Sequence, residues 1–436
     1  MPNDHKLIVE HGSGRIRLHM AGISRKDTVV MGLRDEIDAI RIIDGHVHAG
    51  DEWYWMRAAG SYPFLDDTKR LPVPSRYSTI TRQKALLECY QEIYGFPYAE
   101  ITPQNLEELD ALYQSSRDED ARYTAIAMDK AGIDVALQMC LSEPVLPPGY
   151  DSKRFARAQL VDGFLIPLDN SGIGSTLREK QFVKMTEYYP GLVRAKVQPQ
   201  TFDDYLDMIS ATVEDLAKDG VAALKMNFAY WRDVAIDVVG KDEAADVFAR
   251  KDTSPRRYKA LQDYILRHLI AKTATLGLPI HVHVGPTAVT KPMETTSPAR
   301  FDPFLWLPDI KPAKIVLLHG CFPYTREAGF MVSRTGNVPD LYLDVSLMWF
   351  FVPGAPEALV PILRDWILGG LVPRMIYGSD SPHVLGIMLA ALTARRALYL
   401  TLRGMVDEGS ITENQALEMA TAILRENAKT LYQGRI

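Results

Sequence analysis

Of the ten histidines in the chain, five stand at or just beyond the ends of short apolar runs: His46, His48, His281, His283 and His319. In IIDGHVHAGD the first two are separated by one residue. Alternation along a strand sends residues i and i+2 to the same face, so both imidazoles can bind one metal ion. The competing reading is two polar side chains closing a strand. PIHVHVG repeats the geometry. There His283 lies nearer the end and is the better ligand candidate, whereas His281 sits a layer deeper and reads equally well as a satisfied core histidine. IVLLHG places His319 at the same level, and MIYGSDSPH puts Asp380 after another apolar run. A carboxylate there can be metal ligand and general base together, because its two oxygens can serve an ion and a water. Histidines at three separate strand ends plus an aspartate argue for a metal site.

Weaker candidates surround this set. Lys225 in GVAALKMNFAY is a cation inside an apolar run, costly unless its head reaches a partner. It either snorkels to the rim or enters the site, carbamylated between two metals or as a direct cation. Arg326 in PYTRE can grip a substrate carboxylate by two parallel hydrogen bonds, or pair with a surface neighbour. His383 follows Asp380 by three residues, facing the site or capping a helix. Trp53, with Tyr54 and Trp55, is a candidate for lining a substrate lid, although such clusters are more often loop packing.

These residues need a scaffold that brings strand ends together. Eight apolar runs read as buried strands: Ile40–Val47, Ile133–Met139, Gly163–Pro167, Val221–Phe228, Pro279–Val284, Lys314–Leu318, Leu341–Val345 and Arg374–Tyr377. Continuous apolar strands belong to parallel sheets covered on both faces, with helical crossovers between them. Helical spacing marks Asp203–Lys218 (stopped by Gly220), Arg257–Leu276 (stopped by Gly277), Ala355–Leu368 and Val384–Leu402. Eight strand–helix alternations without a domain break predict a (β/α)8 TIM barrel over 41–436, with a doubly wound open sheet as the competing architecture. Residues 1–40 are expected to form an N-terminal extension or cap. Helical insertions near 49–130 and 229–256 follow strands and are expected over the C-terminal face, where such barrels hold their sites.

Composition narrows the function class. The 436 residues are 47% hydrophobic and 24% charged, with a net charge of −6, as in ordinary globular proteins. Mild acidity argues against nucleic acid as a partner. No apolar run reaches the roughly 18 residues of a membrane span, and the N-terminus lacks the apolar core of a signal peptide. Cys89, Cys140 and Cys321 are too few and too scattered for a disulfide framework, which fits a reducing cytoplasm. A small-molecule substrate is expected, with no membrane partner, and association into a homo-oligomer as in many barrels of this size.

The ordered set (HxH on strand one, lysine on strand four, histidines on strands five and six, aspartate on strand eight) resembles the amidohydrolase superfamily over about residues 41–435. The stretches KIVLLHGCFPYTREAGFMVSRTGNVPDLYLDVSL, YGFPYAEITPQNLEELD and MIYGSDSPH look like its amidohydrolase-related branch, amidohydrolase 2. They are most similar to the amidohydrolase-like domain fused to glutamine synthetase-like proteins in fungi and plants. The resemblance implies a (β/α)8 fold and a divalent metal, usually zinc and sometimes manganese. His46, His48, His283 and Asp380 match the family's mononuclear ligand set. In binuclear members the residue matching Lys225 is carbamylated and the one matching His319 binds a second metal. In mononuclear decarboxylases the latter is an acid or base beside the metal.

Two chemistries follow. The first is hydrolysis of an amide-type C–N bond by metal-activated water, with Asp380 as base and His319 or Arg326 stabilising the oxyanion. The second is non-oxidative decarboxylation of an aromatic or unsaturated acid, with His319 handling the proton and Arg326 gripping a carboxylate. A third reading, a barrel kept only as scaffold, is disfavoured by the intact ligand positions. Substrate identity lies in the loops, where one sequence carries no chemical code.

Overall fold

The computed structural model describes residues 7–12, 15–20, 32–49, 79–140, 146, 148–174, 180, 183, 199–285, 292–334, 338–346, 355–381 and 384–436. Eight parallel strands pair in chain order: β1 (Ile42–Val47), β2 (Ile133–Cys140), β3 (Phe155–Leu160), β4 (Ala223–Met226), β5 (Ile280–Val282), β6 (Lys314–Leu317), β7 (Asp340–Asp344) and β8 (Met375–Ile376). Beyond the end of β8 the chain turns to β1. The Gly45 N–H donates to the Tyr377 carbonyl at 2.8 Å, the Asp380 N–H to the His46 carbonyl at 2.7 Å, and the His48 N–H to the Ser381 carbonyl at 3.0 Å. These bonds join the two edges into the nearly closed (β/α)8 barrel that the alternation of runs predicts.

Seven runs coincide with strands; the third does not. Gly163–Pro167 is apolar because Phe164, Leu165 and Ile166 are buried in and just after the 3-10 turn Asp162–Leu165, which follows β3. The strand itself, FARAQL, hides its character behind Arg157 and Gln159, whose side chains bond to each other at 2.8 Å. Polar groups satisfied within a strand break the apolar run on which periodicity relies.

Helices cover the outside. The first insertion supplies α1 (Ile80–Tyr94), α2 (Leu106–Asp118) and α3 (Asp120–Lys130). Then follow α4 (Phe202–Lys218), α5 (Lys241–Arg250), α6 (Pro255–Thr275), α7 (Thr325–Ser333), α8 (Val360–Leu368) and α9 (Val384–Asp407). The Thr201 hydroxyl accepts the Asp204 N–H at the start of α4 while the Asp204 carboxylate returns the bond, a reciprocal cap that starts the helix where the periodicity does. Within the second insertion Arg232 forms a buried ion pair with Asp263 of α6, whose other oxygen accepts the Asp237 N–H at 3.0 Å. Helix α9 runs further than its sequence pattern suggests and is long and apolar enough to cross a membrane. However, 78% of its apolar window is buried inside the fold, packed against α3 and α8, so it serves as a core helix.

The centre of the barrel is filled from the bottom. Ile43, Leu137, Ala158, Val316 and Ile376 pack with Leu431 and Tyr432 of the final helix, α10 (Asn427–Tyr432). Because β8 has only two residues, the C-terminal segment supplies what its short ladder lacks. The π-turn Ala422–Glu426 leaves the Ile423 carbonyl to accept the Tyr377 N–H at 3.1 Å, and the Asn427 amide donates to the Val372 and Met375 carbonyls. Before the barrel, Leu7–Gly12 and Arg15–Met20 form an antiparallel hairpin, and a short helix, Leu33–Asp38, buries Leu33 and Ile37 in the core.

Candidate metal centre

The strand ends converge. His46 Nε2 and His48 Nε2 are 3.3 Å apart, and Asp380 Oδ1 lies 3.2 Å from the first and 3.5 Å from the second. A tetrahedral cation with bonds of about 2.0–2.1 Å separates its ligand atoms by about 3.3–3.4 Å. The triangle therefore has the edges of a divalent-metal site, and two imidazoles with a carboxylate are the donor set such an ion takes. The residues present fit the group. The other Asp380 oxygen, Oδ2, faces His319 Nδ1 at 3.5 Å, and His319 Nε2 lies 3.3 Å from His283 Nδ1. His283 thus meets the cluster through His319, with the Tyr230 ring edge-on to it at 4.7 Å between centroids.

Backbone conformation aims these groups. Asp380 has φ +51° and His319 φ +56°, left-handed values that residues with a Cβ adopt at a cost. Each residue thereby turns off its strand direction at the barrel mouth. Gly378 makes room: a Cβ there would lie 2.6 Å from Asp344 Oδ1 and 2.9 Å from the His46 Cβ.

The electrostatics suit metal binding. Burial, followed by the charge of Lys225, holds the His46 imidazole well below its usual value, leaving it neutral and able to ligate. Burial does the same for His319, against the opposing pull of Asp380. For Asp380 burial acts upward, yet His319, a hydrogen bond from His48 and the charge of Lys225 outweigh it and keep the carboxyl below its ordinary value. Lys225 is 1% exposed and pairs in register with His281. Burial pulls its ammonium down to about 8, against the opposing effect of Asp380, Asp344 and Asp162. Lys225 therefore lies inside the barrel with its head in the field of the site. His281 sits a layer deeper, its Nε2 2.9 Å from the Tyr432 hydroxyl.

Several expected residues fall elsewhere. Arg326 does not join the cluster. Helix α7 buries Ala328, Gly329, Met331 and Val332, which turns Arg326 outward; its side chain is 84% exposed and its Nε–H donates to Asp365 at 2.9 Å. Trp53, Tyr54, Trp55 and His383 lie outside the described residues. Conversely, sequence reasoning passed over four buried groups. Asp344 ends β7 with Oδ2 2.8 Å from His46 Nδ1, and burial pushes its carboxyl up to about 8. Ser346 follows, its hydroxyl 2.8 Å from Asp344 Oδ2 and 2.9 Å from His319 Nδ1. Asp44 accepts the Ser379 and His46 N–H groups, and Asp162 accepts the Asn227 N–H at 2.7 Å; burial raises both carboxyls to about 7. The signal for Asp344 was the one that flagged Lys225, a charge written into an apolar strand.

Imidazoles and a carboxylate that fit a divalent ion, carried at the C-terminal mouth of a (β/α)8 barrel, define a candidate metal-dependent barrel protein. Residues 207–434, more than half of the chain, match the amidohydrolase family Amidohydro_2, and the chain belongs to that family. Protein fluG of Emericella nidulans is 28% identical over 186 residues, 40% of this chain and 20% of that protein, so the match spans about a fifth of that relative's length. Among solved structures, a candidate metal-dependent hydrolase from Lactobacillus casei superposes with a TM-score of 0.63 at 19% identity, covering 92% of this chain and 97% of that one. Uronate isomerase from Thermotoga maritima gives 0.60 at 14% identity over 92% and 96% of the two chains. Glucuronate isomerase from Caulobacter crescentus gives 0.64 at 14% over 92% and 93%. At these identities the likenesses describe a shared fold.

Proposed function

We propose that the protein is a metal-dependent hydrolase that cleaves an amide-type C–N bond of a small molecule. The observation that carries this reading is the division of labour within one carboxylate. Asp380 Oδ1 completes the ligand triangle with His46 and His48, while Oδ2 is turned to His319. A divalent cation (zinc first, manganese as the alternative) would be held by His46, His48 and Asp380, with His283, which reaches the cluster through His319, as the expected fourth ligand. Bound there, it would supply Lewis acidity and make a water molecule more acidic. Asp380, held ionised by its neighbours, accepts a proton from the attacking water through Oδ2 and returns it to the leaving nitrogen. The buried Lys225 ammonium is the cation available to offset negative charge growing on the carbonyl oxygen, and His319 assists once its Nε2 has taken up a proton. Carbamylated Lys225 and a second metal held by His319 are the binuclear form of the same proposal. Three buried thiols, Cys89, Cys140 and Cys321, with no disulfide among them, support a cytoplasmic setting.

The second reading, a decarboxylase of an aromatic or unsaturated acid, draws on the same His319–Asp380 contact as a proton-handling pair. The deciding experiment is metal analysis of protein purified without chelator, then a screen of N-acyl, γ-glutamyl and aromatic carboxylate compounds. Hydrolysis releases an amine and an acid; decarboxylation releases carbon dioxide. Protein that holds no stoichiometric divalent metal ends both readings.

A further inference from the structure

A chain of short contacts runs behind the ligand cluster. His46 Nδ1 lies 2.8 Å from Asp344 Oδ2, which also accepts the Ser346 hydroxyl at 2.8 Å. Asp344 Oδ1 accepts the Ser346 N–H at 2.8 Å. The Ser346 oxygen in turn lies 2.9 Å from His319 Nδ1. All four residues are buried.

Hydrogen-bond polarity along this chain is determined by what each group can offer. With Asp344 ionised, as beside a bound cation, its carboxylate only accepts, and a serine hydroxyl has one proton to give. Ser346 spends that proton on Asp344, so its oxygen can meet His319 Nδ1 only as an acceptor, and Nδ1 must carry the hydrogen. Asp344, already taking two donors from Ser346, meets His46 Nδ1 in the same way. In each ring the proton sits on Nδ1 and the Nε2 lone pair is left bare. Those are the atoms that face the cluster: His46 Nε2 toward His48 and Asp380, and His319 Nε2 toward His283.

We infer that Asp344 and Ser346, two residues apart at the end of β7, are positioning residues that lock His46 and His319 as Nδ1–H tautomers with both Nε2 atoms presented to a metal. One carboxylate and one hydroxyl thus prepare imidazoles from two different elements, strand β1 and the turn after β6. The inference rests on the metal-binding reading of the site. Burial raises the Asp344 carboxyl to about 8, so the assignment is made for the metal-loaded site, where the Ser346 donors and the charge of a bound divalent cation favour the ionised form. His319 enters the resting site as a lone-pair donor through Nε2, and must take up a proton there before it can act as an acid.

The test uses the full chain with Zn²⁺ as the probe, by competition with a chelator. Asp344→Asn keeps the size of the side chain but replaces an obligate acceptor with an amide that also donates. Zn²⁺ affinity is expected to fall about 10–100-fold, with the melting temperature of the metal-free protein little changed. Equal affinity in the variant overturns the inference and leaves the metal reading standing. A wild-type chain that takes up no Zn²⁺ overturns the metal reading itself. Independently, ¹⁵N-histidine spectra of the Zn²⁺-loaded chain should show His46 and His319 protonated on Nδ1. Ser346→Ala should lose the His319 signal to solvent exchange or move it, and Ser346→Thr should restore it. If Asp344→Asn does not fold, the Ser346 pair decides alone: a His319 signal that Ser346→Ala leaves unmoved, or a proton found on Nε2, overturns the assignment.

Discussion

Asp44 Oδ1 accepts the backbone N–H of Ser379 at 2.9 Å and that of His46 at 3.1 Å, tying the first strand to the turn after the eighth with one buried oxygen. The barrel closes here: one bonded amide belongs to the candidate ligand His46 and the other to Ser379, next to the candidate ligand Asp380. The carboxylate is therefore a clasp between the two halves of the ligand triangle.

Removing the clasp should be costly in proportion to the acceptors lost. Asp44→Ala leaves two buried N–H groups without a partner, each worth about 1–3 kcal/mol, less what is regained by no longer burying an acid. A net loss of about 2–3 kcal/mol is expected, whereas Asp44→Asn, which keeps the accepting oxygen, should lose less than about 1 kcal/mol. Urea unfolding of the two variants checks the order; an equal loss in both would remove the clasp from the account.

Gly378 should tolerate no side chain. A Cβ would meet the Asp344 carboxylate at 2.6 Å and the His46 Cβ at 2.9 Å, and both are walled in by the core. Gly378→Ala is expected to cost about 1–3 kcal/mol through overpacking, and to lower Zn²⁺ uptake because the displaced atoms belong to the ligand shell. Melting temperature and metal content of the variant, measured together, check both effects.

Much of this site is written locally, which is why it can be read. A histidine pair spaced by two at the end of a strand places both side chains by the strand's own geometry, and an aspartate after an apolar run needs no knowledge of the rest. What cannot be read is whatever depends on the phase of one element against another. Arg326 follows His319 by seven residues in a helix whose apolar face dictates the outward turn, and nothing within PYTRE reveals that face. Asp344 is a charge in an apolar strand, as Lys225 is, but that it and Ser346 meet His46 and His319 cannot be read from YLDVS until β7 is laid beside β6 and opposite β1. The third strand was obscured because Arg157 and Gln159 satisfy each other, and an apolar turn nearby imitates a strand.

Arg326 supplies a check on the outward placement. Its pair with Asp365 is solvent-exposed, and such pairs are worth about 0–1 kcal/mol. Arg326→Ala should change stability by less than about 1 kcal/mol and leave kcat/KM on any identified substrate unaffected. A large rise in KM for a carboxylate substrate would return Arg326 to the site.

Asp134 predicts a pH dependence. Its carboxylate joins Arg41, 2.7 Å away and just before β1, to Arg425 of the π-turn, also at 2.7 Å, fastening the start of the barrel to its end. Burial acts to raise its carboxyl, but hydrogen bonds from the two guanidinium groups outweigh it and the value is lowered from 3.8. A depressed carboxyl contributes stability above its unfolded value, lost as pH falls through the folded one. Asp134→Asn should therefore cost about 1 kcal/mol by a constant margin between about pH 5 and 8. The gap to wild type should narrow only below 3.8. Urea midpoints across that range check the sign; a gap that widened on acidification would contradict the assigned shift.

Asp380 carries the sharpest prediction, because the same substitution tests chemistry and spares the backbone. Its φ of +51° is a conformation that asparagine tolerates better than most residues, so Asp380→Asn should fold where alanine would add strain. Asparagine keeps the size and one oxygen for the ligand triangle but cannot accept a proton as a carboxylate does. Loss of a general base costs about 10²–10⁴-fold in turnover, and weakened metal binding adds to that. His319, at φ +56°, permits the same logic, and His319→Asn should also be severe because both proposed chemistries set it beside the reacting group. Turnover measured at matched metal occupancy separates the two contributions. An Asp380→Asn enzyme with metal bound and near-wild-type activity on an identified substrate would show that the proton goes elsewhere.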